Sequence, residues 1–360
     1  MSAPAPFVYE AHPARVVFGA GALASLAGEL DRLGVARALL FAPPALAPGL
    51  RDALGPRVAA VQTEAVMHVP VALAEAARGA AARAGADGLV AVGGGSTVGL
   101  AKAVALTTGL PVVAAPTTYA GSEMTSIWGL TDGGEKRTGR DPKVRPRTVI
   151  YDPELTRSLP PAVAGPSGLN ALAHAVEALY ARGLDPVTAL LAEEAARALA
   201  EHLPRVVAPG GPADDGALAG ALYGAWLAGV CLDRAAMGLH HKLCHTLGGA
   251  FDLPHAELHA VVLPHAAAFN REAAPDAMRR LARALGADDA PAGLFALARR
   301  VGAPASLAAI GLRAGDLDRA AELATRNPYD NPRPVDREGV RALLAAAFEG
   351  RAPARPQEAP

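Results

Sequence analysis

Six of the ten histidines of this sequence fall within one short stretch of its C-terminal half. Two of them, His241 and His245, are four residues apart in GLHHKLCHTLGG, and Asn170 and His174 are four apart in SGLNALAHAVEALY. Residues at this spacing share one face of a helix. Together with His255, expected in a loop, they predict a site held between helices, where imidazoles bind a metal, move protons or stabilise negative charge.

A bound metal is one use of such a cluster, but its ligand set lacks an anionic group. Hard divalent ions prefer carboxylates as well as imidazoles. At the position where a carboxylate would complete the set, the residue is Asn170, a weak and uncharged ligand. The residues therefore favour a histidine site that works without metal. The histidines at positions 12, 68, 202 and 259 have as much reason to be structural as functional.

A second candidate site follows two neighbouring apolar runs in the first half of the chain. The run GLVAV leads into Gly93, Gly94, Gly95 and Ser96, and the next leads into a hydroxyl-rich turn, PTTYAGSEMT. Glycines allow a ligand to approach the backbone, and the N–H groups of a following helix suit a phosphate. Consecutive strands ending in such turns form a crevice at the carboxyl edge of a sheet, so the pair predicts nucleotide or phosphate binding.

The elements that must position these residues differ between the two halves of the chain. In the first half, short apolar runs alternate with alanine-rich helical patterns, which indicates a parallel sheet covered on both faces. The predicted strands are Val16–Phe18, Ala38–Phe41, Val58–Val61, Gly88–Val92, Leu110–Ala115 and Thr148–Tyr151. We therefore predict an α/β nucleotide-binding domain over residues 1–158.

After residue 158 the pattern changes to long alanine- and leucine-rich helices with almost no strand signal. The predicted helices are Leu169–Tyr180, Pro186–His202, Asp215–Cys231, Gly238–Gly248, Pro275–Leu285 and Leu317–Thr325. We predict an all-helical catalytic domain over residues 159–350. The proline-rich residues 351–360 are expected to form a disordered tail.

Composition limits the classes of function. The chain has 360 residues, of which 51% are hydrophobic, and a formal net charge of -1, so it is globular and has no overall attraction to nucleic acid or anionic membranes. Its two cysteines cannot form a disulfide framework. Neither the N-terminal sequence nor the uncharged stretch 103–122 has the character of a secretory signal or a membrane span. We expect a soluble cytoplasmic protein.

At these residues the chain resembles the iron-containing alcohol dehydrogenase family and, within it, the maleylacetate reductases. The segments that carry the resemblance are AVGGGSTVGLAKA, PTTYAGSEMT, KRTGRDP, VIYDPELT, SGLNALAHAVEALY and HHKLCHTLGGAFDLPHAE. The resemblance implies a dehydroquinate synthase-like fold. It also implies NAD(P)H-dependent reduction of the C=C bond of maleylacetate to 3-oxoadipate, a step of aromatic-compound degradation.

The resemblance assigns roles to particular positions. It implies that the cofactor is NADH or NADPH and that it contacts Gly93, Gly94, Gly95, Ser96, Thr117, Thr118, Ser122 and Lys136. In metal-dependent relatives Asp, His, His and His hold the ion, and the matching positions here are Asn170, His174, His241 and His255, with His245 beside the substrate. The asparagine agrees with a metal-independent reaction, so no metal is expected.

The expected substrate is a dicarboxylate, which needs cationic partners. Basic residues crowd the connection before Thr148 (Arg137, Arg140, Lys143, Arg145 and Arg147), and Lys242 lies beside the histidines. Arginine suits bidentate binding of carboxylates. We predict Arg140, Lys242 and Tyr329 as substrate contacts, the last in a loop, Asn327–Arg333, that closes over the site.

Three other interpretations remain open at this point. The nearest is a metal-dependent alcohol dehydrogenase that uses the histidines and Asn170. A dehydroquinate synthase-like lyase would need a fuller set of metal ligands, and a nucleotide-binding regulatory protein would leave the histidines without a function. The family further suggests a homodimer, with no nucleic acid or membrane partner.

Overall fold

The computed structural model describes residues 9–12, 14–66, 69–132, 135–211 and 214–354. The strands are β1 Arg15–Phe18, β2 Ala38–Phe41, β3 Val58–Gln62, β4 Gly88–Gly93, β5 Val112–Pro116, β6 Ile127–Asp132, β7 Glu135–Arg140 and β8 Thr148–Tyr151. The helices of the first part are α1 Leu26–Arg32, α2 Ala47–Leu54, α3 Val71–Ala84 and α4 Gly95–Thr108. Those of the second are α5 Pro161–Leu179, α6 Pro186–Val206, α7 Asp215–Arg234, α8 Leu239–Phe251, α9 His255–Asn270, α10 Pro275–Leu285, α11 Ala290–Arg300, α12 Leu317–Thr325 and α13 Arg337–Glu349.

Residues 11–159 form a compact α/β unit around a six-stranded sheet. The strand order is β1-β8-β5-β4-β2-β3 and every pairing is parallel. The central strands β2, β4, β5 and β8 are buried along their whole length, because helices cover both faces. Such strands appear in a sequence as continuous apolar runs, and the predicted α/β fold class is confirmed.

The order of the strands determines where this sheet can bind a ligand. From β2 the chain moves outward to β3, whereas from β4 it moves the opposite way to β5. The direction of winding therefore reverses between β2 and β4. Open α/β sheets bind ligands at this reversal, at the carboxyl ends of the strands. The glycine turn begins at the carboxyl end of β4.

The basic connection before β8 is partly an antiparallel hairpin, which the sequence analysis did not predict. Strands β6 and β7 pair in a separate two-stranded sheet, with Trp128 opposite Gly139. A Cβ at residue 139 would lie 2.7 Å from Cζ2 of Trp128, so the glycine leaves room for the indole ring. The polar sequence of β7, EKRTGR, lacks the apolar alternation by which strands are recognised.

Residues 160–354 form a helical unit that also includes Tyr9 and Glu10. Its centre is α5, which is buried from Ala164 to Leu179. Small residues let neighbouring helices approach closely, since a Cβ at Gly168 would lie 2.3 Å from a methyl carbon of Leu203. Among the described residues, α7 is the helix long and apolar enough to cross a membrane, but more than half of its apolar stretch is buried within the protein. This is typical of a core helix of a soluble protein.

Several boundaries differ from the sequence analysis. Helix α5 begins at Pro161, eight residues before the predicted start at Leu169, and His255 is the first residue of α9 and does not lie in a loop. Tyr9, predicted within the α/β domain, belongs to the helical unit because Arg234 donates a 3.1 Å hydrogen bond to its hydroxyl. Residues 351–354 of the predicted disordered tail are described, and Arg271 donates to the carbonyl of Ala354 at 2.8 Å. Residues 355–360 lie outside the described residues.

Candidate active site

In the α/β unit, the glycine turn and the hydroxyl-rich turn lie against each other. The backbone N–H of Thr117 donates to the carbonyl of Gly93 at 3.1 Å. A Cβ at Gly94 would lie 3.3 Å from Cγ2 of Thr118, and one at Gly95 would lie 3.2 Å from Cβ of Ala120. A side chain at either position would therefore have to displace its neighbour by a few tenths of an ångström. Helix α4 begins at Gly95, so the N–H groups of its first turn, including that of Ser96, remain available for an anion.

A buried lysine holds the hydroxyl-rich turn in place. Lys102 lies on α4 and is 1% exposed. Its ammonium donates to the carbonyl oxygen of Ser122 at 2.8 Å and to Oγ1 of Thr125 at 3.0 Å. These bonds satisfy a charge that would otherwise be costly to bury. The sequence analysis named Ser122 but missed Lys102, whose signal is a lone charge in the apolar sequence VGLAKAVAL.

In the helical unit, one face of α5 carries three buried polar side chains. Asn170, His174 and Glu177 are spaced by four and three residues, which places them on adjacent turns of the same face. They are 6%, 3% and 0% exposed. Glu177 is the only charged residue in α5, and its position in an apolar helix was the signal that the sequence analysis missed.

The carboxylate of Glu177 is bonded to the beginning of α8. It accepts the backbone N–H groups of Gly238 at 3.1 Å, His240 at 2.8 Å and His241 at 3.3 Å. Its Oε2 also lies 2.6 Å from Nδ1 of His241. The first N–H groups of a helix have no partner within the helix. Glu177 therefore caps α8 and fixes the imidazole of His241 with a single carboxylate.

The histidines of α5, α8 and α9 form a continuous array of rings. The ring of His241 stacks on that of His174, with centroids 5.1 Å apart, and lies 6.0 Å from that of His245. His255 is 6.3 Å from His245 and 4.4 Å from His259, whose ring is 4.9 Å from that of His241. The predicted site residues of this unit are therefore brought together, and His259 connects them. Since His255 and His259 are four residues apart, a helix prediction for this segment would have found His259.

Four buried polar atoms of this array have no hydrogen-bond partner among the described residues: Oδ1 of Asn170, Nδ1 of His174, Nε2 of His241 and Nε2 of His259. Buried polar groups are nearly always paired, so these atoms mark positions that a water, an ion or a ligand can occupy. Burial lowers the pKa of His174 well below its usual value, and the neighbouring His241, His255 and His245 lower it further. His174 is therefore a neutral ring at physiological pH.

A second cluster, formed by His240, Cys244 and His259, lies directly behind these rings. Nε2 of His240 is 3.0 Å from Nδ1 of His259 and 3.8 Å from the sulfur of Cys244. Their ligand atoms lie within 4.8 Å of one another, close enough to hold one ion. Burial raises the pKa of the Cys244 thiol well above its usual value, with a further contribution from Glu177. A thiolate is the form that binds metal, so in this environment the cluster is a neutral hydrogen-bonded group.

The four positions that match metal ligands of the family supply only neutral donors. Asn170 contributes an amide oxygen, and His174, His241 and His255 contribute imidazoles. Among the described residues, the His240, Cys244 and His259 cluster is a further group whose ligand atoms lie close together. The nearby carboxylate, that of Glu177, is already bonded to His241. These four positions therefore offer one amide oxygen and three imidazole nitrogens, a set without a carboxylate.

The predicted substrate contacts are distributed over both units. Within the helical unit, the ammonium of Lys242 lies 5.7 Å from the ring centroid of Tyr329, and the Tyr329 hydroxyl is buried with no partner among the described residues. Arg140 ends β7 of the α/β unit. Lys136 belongs to the same strand, but its side chain lies outside the described part of the structure, as does His68.

The segment 327–333 is fastened to the end of α9 by a pair of amides. Asn331 donates through Nδ2 to Oδ1 of Asn270 at 2.7 Å and accepts from Nδ2 of Asn270 at 3.0 Å. Asn331 also lines a cavity of about 310 Å³ together with Glu177 and Gly238. The amide pair fixes the segment that carries Tyr329 next to the helices that carry the histidines.

Comparison with known proteins gives consistent results. The family model described as "Iron-containing alcohol dehydrogenase" matches residues 13–153, and "Fe-containing alcohol dehydrogenase family, C-terminal" matches residues 165–348. The maleylacetate reductase of Burkholderia cepacia is 56% identical over 347 residues, which span 96% of this chain and 98% of that protein. The resemblance noted in the sequence is confirmed.

Solved structures agree in fold over nearly the whole chain. The crystal structure of maleylacetate reductase from Agrobacterium tumefaciens is 53% identical with a TM-score of 0.94, and covers 97% of this chain and 100% of its own. An iron-containing alcohol dehydrogenase from Corynebacterium glutamicum is 47% identical with a TM-score of 0.92, covering 98% and 99%. The chain therefore belongs to the iron-containing alcohol dehydrogenase family, whose members are nicotinamide-dependent oxidoreductases.

Proposed function

We propose that this protein reduces the C=C bond of maleylacetate to give 3-oxoadipate, a step in the degradation of aromatic compounds, and that it does so without a metal. The observation that carries the proposal is the buried histidine array, which has an asparagine where metal-dependent relatives have an aspartate. The identity of 56% with a maleylacetate reductase supports the choice of substrate.

The chemistry of this substrate is compatible with a site that lacks a metal. In maleylacetate the C=C bond is conjugated to a ketone. A bound reduced nicotinamide would supply a hydride to the carbon β to the ketone, and the π electrons would move onto the ketone oxygen as an enolate. Addition of a proton at the α carbon would then restore the ketone. The site must therefore stabilise an oxyanion and supply one proton.

Imidazoles with suitably placed nitrogens meet both requirements. Nε2 of His241 is buried and has no partner among the described residues, and His245 is exposed at the neighbouring helical position. We assign the enolate oxygen and the proton to these two rings, with Asn170 and the neutral His174 lining the site. Removing one oxyanion donor typically lowers kcat about 100- to 1000-fold.

The two carboxylates of the substrate need separate partners. Lys242 and the unpartnered hydroxyl of Tyr329 lie together beside the histidines, and they are the proposed contacts of one carboxylate. Arg140 is proposed for the other. A charge-assisted hydrogen bond contributes about 1.5–3 kcal/mol, so these residues are expected to determine KM for the dicarboxylate.

The cofactor is proposed to be NADH or NADPH, with its pyrophosphate at the N-terminus of α4. The turn Gly93–Ser96 and the residues Thr117, Thr118 and Ser122 are the proposed contacts, with Lys136 as a further one. Selectivity for NADH usually depends on an acidic side chain after the second strand. Here β2 is followed by Ala42 and Pro43, so both cofactors are expected to be used.

The decisive assay follows the absorbance of NADH when maleylacetate is added to the purified protein. We expect oxidation of one NADH per maleylacetate, retained after dialysis against EDTA and in protein with less than stoichiometric metal by elemental analysis. His241→Ala and His245→Ala are each expected to lower kcat about 100-fold or more. Near-wild-type rates in both variants would contradict the proposed roles.

The alternative is a metal-dependent alcohol dehydrogenase, favoured by the 47% identity with the iron-containing enzyme of Corynebacterium glutamicum. It predicts activity on alcohols that EDTA abolishes and one divalent ion restores. Loss of maleylacetate reduction on removal of a stoichiometric ion would support this alternative.

We further propose a cytoplasmic homodimer that acts on a small molecule without nucleic acid or membrane partners. Light scattering after size-exclusion chromatography tests the dimer, and cell fractionation tests the location.

A further inference from the structure

Glu177 is a charged side chain next to the histidine array. Neither the sequence motifs nor the proposed reaction gives this residue a role. It is completely buried and it is the only charge on α5. An isolated buried carboxylate is strongly unfavourable unless hydrogen bonds satisfy its oxygens. Here both oxygens are satisfied by N–H groups, and the hydroxyl of Tyr180 lies 3.4 Å from Oε1.

The strongest of these contacts is with the imidazole of His241. The distance of 2.6 Å from Oε2 to Nδ1 is short for a hydrogen bond between nitrogen and oxygen. Oε2 already accepts the backbone N–H groups of Gly238 and His241, so it acts as an acceptor and Nδ1 carries the proton. The other ring nitrogen, Nε2, is buried and has no partner among the described residues. The carboxylate thus determines which nitrogen of His241 is directed away from α5.

The same carboxylate also sets the position of the ring. Glu177 accepts the backbone N–H groups of His240 and His241 at the start of α8, so the backbone and the ring of His241 are fixed from one point. The direction of Nε2 is therefore built into the contact between α5 and α8. The stacked ring of His174 restricts rotation further.

We propose that Glu177 is a positioning residue: it holds His241 by its Nδ1–H and directs the other ring nitrogen, Nε2, to the enolate oxygen, to which Nε2 donates when the ring carries a proton on both nitrogens. This inference rests on the proposed function for the identity of the oxyanion. The proposal gives His241 and His245 different roles. Glu177 is bonded to His241, so His241 is the ring whose orientation is fixed. His245, on the exposed side of α8, has the more accessible position for exchanging a proton with water.

A purely structural role, capping α8, is the alternative to exclude, and Asp185 offers a matched control. Asp185 is a buried carboxylate that caps α6 by accepting the N–H groups of Val187 and Thr188, each at 2.9 Å. Its neutral variant, Asp185→Asn, removes a capping charge from the same unit without touching a histidine. Comparison with Glu177→Gln separates the loss of a cap from the loss of the oriented ring.

The first measurement is steady-state kinetics. Glu177→Gln is expected to lower kcat about 10- to 100-fold, the usual cost of removing a group that orients a working histidine. KM for NADH should change less than about twofold, and Asp185→Asn should keep kcat within about twofold at a comparable loss of Tm. Glu177→Asp restores the charge but not the reach, and is expected to stay at least about tenfold below wild type. Wild-type kcat in either Glu177 variant would overturn the proposal.

The second measurement does not depend on activity. In protein labelled with ¹⁵N-histidine, the two-bond ¹H–¹⁵N spectrum reports which ring nitrogen carries the proton, and the His241 signal is identified by its absence in His241→Gln. We expect a proton on Nδ1 in wild type, and loss of that fixed state in Glu177→Ala. An Nε2-protonated neutral ring in wild type would overturn the inference. If wild type shows the expected spectrum but does not oxidise NADH with maleylacetate, the proposed function fails and the positioning of His241 stands.

Discussion

One buried histidine outside the proposed active site should make the free energy of unfolding of the helical unit depend on pH. His265, on α9, is 5% exposed, and its ring lies 6.4 Å from that of Phe295. Burial, with a smaller contribution from the charge of Arg351, lowers its pKa from 6.5 to about 4. The folded protein therefore keeps this ring neutral at pH values where the unfolded chain takes up a proton.

The sign and size of the effect follow from proton linkage. Between pH 6.5 and about 4 the unfolded state binds one more proton at this residue, so the free energy of unfolding decreases as the pH falls through that interval. Above pH 6.5 the contribution is fully present. Between pH 7 and pH 5, the two pKa values give a loss of about 2 kcal/mol from this residue. The pKa values of His174, His240 and His259 are also lowered by burial, so they act in the same direction.

The perturbation is His265→Gln, which removes the titrating group. Urea denaturation at pH 7 and pH 5 gives the free energy of unfolding of wild type and variant. We expect the loss between the two pH values to be about 2 kcal/mol smaller in the variant. Phe295→Leu is the control, since it removes the ring neighbour without a proton and should shift stability equally at both pH values. Equal acid losses in wild type and His265→Gln would refute the reasoning.

Three further predictions concern the proposed sites. Asn170→Asp creates an Asp, His, His and His ligand set, so zinc or ferrous iron should stabilise the folded state of this variant but not that of wild type. A ligand present at about 100 times its Kd raises the free energy of unfolding by about 2.7 kcal/mol. Thermal unfolding detects a change of this size. Equal shifts in both proteins would contradict the argument. Gly95→Val places a branched side chain 3.2 Å from Cβ of Ala120, and should raise KM for NADH about tenfold or more, equivalent to roughly 1.4 kcal/mol, without a similar change in KM for maleylacetate. Lys242→Met should raise KM for maleylacetate about 10- to 100-fold and leave KM for NADH unchanged; an unchanged KM for maleylacetate would remove Lys242 from the site.

The sheet could be predicted from the sequence because its strands are buried on both sides. Strand β4, GLVAVG, is apolar at every position that carries a side chain. The glycines that follow it are not explained by the helix that comes next, so they indicate a turn. The hairpin of β6 and β7 escaped prediction because β7 is polar throughout and lacks the apolar alternation of a half-buried strand.

The candidate active site was predictable only where its residues repeat at helical spacing. Asn170 with His174, and His241 with His245, were found in this way. Helix α9 was missed because Pro264 lies inside it, and proline usually ends a helical pattern. Without α9 the position of His259 could not be inferred. Its contact with His240, 19 residues away, depends on the packing of α8 against α9, which the spacing of residues within one helix does not express.

The amide pair between Asn270 and Asn331 bears on how the pH dependence of the reaction rate of this protein is interpreted. Neither amide gains or loses a proton in water, and Arg333 of the same segment lies over the ring of Phe269. The attachment of the segment that bears Tyr329 is therefore the same in mild acid and in mild base. A bell-shaped dependence of rate on pH would then report the ionisation of imidazoles and of the substrate, with no contribution from a moving flap.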